Sequence, residues 1–228
     1  MCARFFLFSP DAEIMKLFRM VNFPRIAPRF NIAPSQPVLA VSNSQHGFDA
    51  NHFQWGLIPG WSKNLAPGQA MINARSETAS SKPAFKNAFR YRRCLIPANG
   101  FYEWKRSGNR SKQAMCIQLT DEPLFAMAGI WEQWQGPDGT ELETCSVLTT
   151  VANTLLENIH PRMPVILRPE QFERWLSSDS TPIPQLEQLL QTFPAEEMQV
   201  FPVSSYVNKV AHDSPECILP TQEQKTLF

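Results

Sequence analysis

The stretch NFPRIAPRFNIAPSQP (22–37) holds four prolines in sixteen residues. Each proline fixes its own φ and removes a backbone donor. Such a segment is neither a regular helix nor a central strand. It must run as a stiff extended path, either as a long surface loop or as one wall of a groove. The bias extends through the chain, which has 20 prolines against 9 glycines. That ratio favours short strands, rigid connections and few long helices.

Before this stretch, Ser9-Pro10-Asp11 reads as a helix start, with proline in the first turn and an acid near the positive helix end. Ile14, Leu17, Phe18 and Val21 follow at helical spacing and predict an amphipathic helix over 10–22. After it, the pattern predicts strands at 37–42, 52–58, 70–75, 93–98, 100–106, 113–119, 124–131, 144–150, 163–167 and 199–203. Short helices fit at 83–90, 152–158, 169–177 and 184–192. Strands follow strands instead of alternating with helices. The expectation is therefore an α+β fold with a mostly antiparallel, barrel-like β core flanked by short helices. No repeat, linker or low-complexity tract divides the sequence, so one domain is expected over 1–228.

No apolar run approaches the ~18 residues of a membrane span. The N-terminus lacks the charged, apolar and small-residue succession of a secretory signal. Cys2, Cys94, Cys116, Cys145 and Cys217 are odd in number and include no C-x-x-C pair. Free thiols in a reducing cytoplasm are expected. His46, His52, His160 and His212 show no zinc spacing, so neither a metal nor another cofactor is expected.

Lys and Arg balance Asp and Glu at 21 each, but unevenly along the chain. Between Arg75 and Lys112 stand Arg75, Lys82, Lys86, Arg90, Arg92, Arg93, Lys105, Arg106, Arg110 and Lys112, against only Glu77 and Glu103. From Asp121 onward there are five basic and sixteen acidic residues. Either these charges interleave in space and cancel, or the basic middle forms a positive surface for a polyanion.

Four motifs carry candidate chemistry. In MINARSE (71–77), an extended chain places Asn73 and Arg75 on one face, an amide and a guanidinium suited to a polar ligand and a phosphate. A solvated strand face is the plain alternative. In IPANGFYEWKRSG (96–108), Asn99-Gly100 reads as a turn, and Glu103 follows on a strand among aromatic residues, where a carboxyl can act in proton transfer. The alternative is an exposed carboxylate paired with Lys105. In NIHPRMPVIL (158–167), Pro161 and Pro164 hold the path extended, so His160 and Arg162 can project to one side, suited to proton transfer beside a phosphate. A capping or core histidine is the alternative. In FQWGLIPGW (53–61), Trp55 reads as core, while Trp61 follows the turn signal Pro59-Gly60 and can stack on a base if exposed.

Together with MCAR (1–4), FNIAPSQ (30–36) and RCLIPANGFYEWK (93–105), these motifs resemble the SRAP-domain family (SOS response-associated peptidase family), in family order over nearly the whole chain. One position departs: the family usually begins Met-Cys-Gly-Arg, and this chain has Ala3, where glycine would permit more backbone angles. The resemblance implies removal of Met1, then covalent cross-linking of the exposed N-terminal Cys2 to an abasic site in single-stranded DNA. It implies Cys2 as nucleophile, with Asn73, Glu103 and His160 completing the active site. Arg4, Arg75 and Arg162 would contact the DNA backbone, with Asn31, Pro34 and Trp61 also at the DNA. A cytoplasmic, nucleoid-associated monomer in the DNA damage response is the corresponding expectation.

Cys2 accounts for the chemistry. Once it is the first residue, its thiol and its α-amine sit on adjacent carbons, and both can bond to one aldehyde carbon. Two other classes remain open from the sequence: an N-terminal-cysteine hydrolase or peptidase, which would need an oxyanion hole, and a non-covalent single-stranded nucleic-acid-binding module using the basic middle and Trp61.

Overall fold

The computed structural model describes residues 2–20, 23–44, 47–63, 70–107, 111–177 and 181–221. Val21, His46 and Arg110, named above, lie outside these residues. Thirteen strands are described: β1 (Phe5–Leu7), β2 (Arg29–Ile32), β3 (Pro37–Ser44), β4 (Gly47–Trp55), β5 (Asn73–Arg75), β6 (Arg93–Ala98), β7 (Gly100–Ser107), β8 (Ser111–Leu119), β9 (Phe125–Gln135), β10 (Glu141–Val151), β11 (Arg162–Pro164), β12 (Ile166–Leu167) and β13 (Met198–Pro202). Five short α-helices accompany them: α1 (Asp11–Phe18), α2 (Ser76–Ala79), α3 (Lys86–Tyr91), α4 (Phe172–Leu176) and α5 (Ile183–Glu187).

β4, β3, β6, β9 and β10 close into a five-stranded barrel, since β10 pairs with both β9 and β4. Only the β10–β4 contact within this ring is parallel. A second, wholly antiparallel sheet runs in the order β13-β8-β7-β1-β2. The architecture is the expected α+β arrangement around a barrel-like β core.

Two features position the site. The first is β1, which sequence periodicity did not predict. Phe5, Phe6 and Leu7 are all buried, and β1 lies between β2 and β7. The N-terminus is therefore pinned inside a sheet. The second is β10. It pairs with β9 up to Val147 and with β11 from Thr149, while on its other edge β4 gives way to β5 at Val147. Strands β5 and β11 thus flank the same end of one long strand.

The two sheets are joined at Asn99-Gly100. This dipeptide is not a hairpin turn, because β6 belongs to the barrel and β7 to the second sheet. Asn99 is wholly buried and organises the crossing: its Oδ1 accepts from the N–H of Phe8 (2.7 Å) and Ser9 (2.9 Å). Gly100 is required by close approach, since a Cβ there would meet Phe6 Cζ at 2.3 Å and the Ile117 carbonyl oxygen at 2.5 Å.

Several expected elements differ. Within the proline-rich stretch, Arg29–Ile32 does form a strand, β2, but at the sheet edge, where missing donors are tolerated. The predicted helix over 10–22 ends at Phe18, because Arg19 turns left-handed (φ 53°). The predicted helix over 152–158 is instead a series of turns. There Asn153 Oδ1 accepts from Leu156 N–H (3.1 Å), the side-chain competition with helix that asparagine favours. The helix predicted over 184–192 stops at Glu187. Ala3 is accommodated without strain: among the described non-glycine residues only Arg19 and Ser35 have positive φ.

Candidate active site

Cys2 sits where the two sheets meet. Just before β1 the chain already runs antiparallel beside β7, with Tyr102 N–H donating to the Arg4 carbonyl (2.9 Å). From the other side, Asn73 on β5 donates through Nδ2 to the Cys2 carbonyl at 2.8 Å. Cys2 is fully buried, with its thiol directed to the Arg4 carbonyl (3.9 Å). Burial, reinforced by the neighbouring Glu103 carboxylate, pushes the Cys2 thiol far above the ordinary thiol range. The thiol is therefore protonated at neutral pH.

Glu103 is 6% exposed, on β7 one residue beyond the backbone bond that fixes Arg4. It lines a cleft of about 590 Å³ together with His160, Trp104, Ile159, Arg106 and Lys112. His160 is held at its Nδ1 edge, 3.1 Å from both the N–H and the carbonyl oxygen of Arg162. Cys2, Asn73, Glu103 and His160 come from four separate segments, and the junction of the two sheets brings them into one region.

The expected DNA-contacting residues divide. Arg75 is exposed at the end of β5, and Trp61 is 71% exposed on the turn after Pro59-Gly60. Trp55, by contrast, is core. Pro34 is half-buried. Arg162 extends from β11 to Glu77, bonding both carboxylate oxygens (2.6 and 2.9 Å), and also reaches Thr149. Arg4 donates to Asn31 Oδ1 (2.7 Å) and the Val207 carbonyl (2.9 Å), with its guanidinium over the Trp104 ring. Asn31, which the resemblance sets at the DNA, is wholly buried in this structure. Its Nδ2 serves the carbonyls of Val207, Lys209 and His212, so it fastens the C-terminal segment under Arg4.

The family description SOS response associated peptidase (SRAP) matches residues 1–210. The chain belongs to the SRAP family. The abasic site processing protein YoqW of Bacillus subtilis (strain 168) is 43% identical to this SRAP chain over 221 residues, covering 96% of this chain and 99% of its own length. The abasic site processing protein HMCES of Gallus gallus is 34% identical over 229 residues, covering 87% of this chain and 68% of its own. A crystal structure of a Bacteroides thetaiotaomicron protein superposes with a TM-score of 0.86 at 26% identity, covering 97% of this chain and all of the other.

The basic middle of this SRAP chain is only partly a surface. Arg93 is buried, its guanidinium bonding the carbonyls of Phe89 and Arg90 at the end of α3 and of Trp175 and Ser177 at the end of α4. It satisfies helix-end acceptors that would otherwise be orphaned. Arg92 pairs with Glu132 (2.7 Å). Arg75, Lys82, Lys86, Arg90, Lys105, Arg106 and Lys112 remain exposed. Arg106 and Lys112 were legible only as members of a basic run. Their place beside His160 depends on the fold of the loop before β11, which strand periodicity does not report. Among the described residues no cluster of His, Cys, Asp and Glu is placed to hold a metal ion, and no helix is long and apolar enough to cross a membrane.

Proposed function

We propose that the protein processes abasic sites in single-stranded DNA by forming a covalent thiazolidine through Cys2 after removal of Met1. The observation that carries this reading is the placement of Cys2, tied by Asn73 and adjacent to Glu103, which lines the same cleft as His160. The relatives' names, abasic site processing proteins, supply the substrate class.

The chemistry follows from the state of the two nucleophiles. A ring-opened abasic site presents an aldehyde. The buried thiol is protonated and therefore a weak first nucleophile. A free α-amine, with an ordinary pKa of about 7.7–8.0, is partly unprotonated at neutral pH. The amine adds to the aldehyde carbon, and loss of one water leaves an imine. The S–H then adds across the C=N bond: sulfur bonds to carbon and the proton passes to nitrogen. The sum is aldehyde plus aminothiol giving thiazolidine plus water.

Glu103 moves protons during water loss and thiol addition. His160 assists opening of the sugar ring and the reverse reaction. Asn73 holds the Cys2 backbone so that amine and thiol meet the same carbon. Arg75 and Arg162 engage phosphates, Trp61 stacks on a base, and Arg4 with Asn31 supports the pocket from beneath.

Intact mass of the protein with abasic and undamaged single-stranded DNA tests this. Expected are loss of Met1 and a denaturation-resistant species heavier by the abasic strand minus one water, absent for Cys2→Ala. Wild-type levels of adduct from Cys2→Ala without reductant, or from protein that retains Met1, overturn the reading.

A further inference from the structure

Arg106 on β7 and Lys112 on β8 stand directly opposite each other in the antiparallel register. Directly opposed residues share a sheet face with Cβ atoms about 4.5–5.5 Å apart, and like charges so placed destabilise the pair. Both side chains are exposed, and among the described residues neither enters an ion pair. The nearest acid on these two strands, Glu103, is buried beside Cys2. Both cations line the cleft that also holds Glu103 and His160. An uncompensated cationic pair at the rim of a cleft is either a solvated repulsion tolerated by the fold or a seat awaiting an anion.

We propose that Arg106 and Lys112 together seat one backbone phosphodiester of the strand whose lesion enters the cleft. This rests on the abasic-site reading and adds residues to it. The planar guanidinium can take the two non-bridging oxygens in parallel, while the ammonium adds a point charge from the facing strand. The bound phosphate relieves the repulsion between the two cations. Because the contact is to phosphate, it fixes the strand's position and reads no base. With the phosphate anchored at this rim, the neighbouring sugar is directed toward Glu103 and Cys2.

The test uses the full-length protein and an undamaged single-stranded oligonucleotide, which has no aldehyde. Its affinity is measured against salt for wild type, Arg106→Gln and Lys112→Gln. Each variant is expected to flatten the log–log salt slope by up to about 0.7, the single-strand value for the one phosphate the pair seats. Thermal unfolding without DNA distinguishes a seat from a structural role: each variant should be at least as stable as wild type, because the like-charge pair is removed. Arg174→Gln, at an exposed position on α4 and making the same charge change, should leave the slope unaltered. An unchanged slope in both cleft variants, or an equal flattening by Arg174→Gln, overturns the proposal. Since no adduct is needed, this outcome is independent of whether the covalent reading holds. If abasic DNA cross-links normally while the slope is unmoved, only the phosphate seat fails.

Discussion

Asn73 Nδ2 lies 2.8 Å from the carbonyl oxygen of Cys2, joining positions 71 residues apart. The bond ties the free end of the chain, at the continuation of β1, to β5 on the flank of the barrel. It acts on the backbone of Cys2, so it orients amine and thiol together.

Asn73→Asp should therefore impair cross-linking more than Asn73→Ala. Alanine removes one hydrogen bond, worth about 0.5–1.5 kcal/mol, or roughly 2- to 10-fold in rate if it is felt in the transition state. Aspartate also sets a carboxylate oxygen against the carbonyl it faces. The check is single-turnover adduct formation on abasic single-stranded DNA, with binding of an undamaged strand measured in parallel. Equal rates for both variants and wild type would remove Asn73 from the site.

Glu103 and His160 should separate kinetically. Glu103→Gln keeps the shape and loses proton transfer, so adduct formation is expected to slow by about 10²-fold or more, within the usual range for general acid–base groups. His160→Ala should alter reversal of the adduct more than strand affinity. Forward and reverse rates, followed by denaturing gel, test both. Folded variants that match wild type in both directions would contradict these roles.

How far the sequence showed this site depends on the residue. Asn73 and Arg75 could be placed because a three-residue strand still alternates: Ala74 is buried while Arg75 is exposed. Pro161 and Pro164 marked an extended path that indeed carries β11. Asn99-Gly100 misled because its turn signature is local, whereas its role is to carry the chain from one sheet to the other. The packing of Phe6 against Gly100 that enforces this crossing joins residues remote in sequence. Asn31 was placed at the DNA by the family resemblance alone; the acceptors that bury its side chain come from residues 207–212, and nothing beside it in the chain announces them. The barrel-like core was expected from the run of strands, but its closure through β10 was not, because alternation gives strand faces and not strand partners.

Gly100→Ala should be among the most destabilising single changes in the protein. The added methyl meets buried Phe6 and a backbone carbonyl that cannot rotate away. Overpacking of this kind typically costs about 1–3 kcal/mol, occasionally more. The same shift would move β1, and with it Cys2. Denaturant unfolding should show the lowered stability, and cross-linking at a temperature where the variant is folded should still be slowed. Wild-type values for both would mean that Phe6 has room to yield.

The Glu77–Arg162 pair sets the last expectation. Arg162 holds the Glu77 carboxyl below its ordinary range, chiefly through their direct hydrogen bonds. A carboxyl depressed by folding adds stability that is present above the unfolded-state pKa and is lost as pH falls through the lower folded value. The stability gap between wild type and Glu77→Gln should therefore be full at neutral pH and should close below about pH 4, near and beneath the ordinary glutamate value. The Glu77 side chain is 46% exposed, so the gap at neutral pH should stay within about 1 kcal/mol. The same pair bears on DNA. A phosphate that recruits Arg162 competes with Glu77 for one guanidinium, so Glu77→Gln should bind single-stranded DNA more tightly at neutral pH while being slightly less stable. Unfolding across pH 3–7 and strand affinity at fixed salt measure the two effects in one variant. Affinity that is unchanged or weaker in Glu77→Gln would show that Arg162 stays with the fold and does not turn to the phosphate.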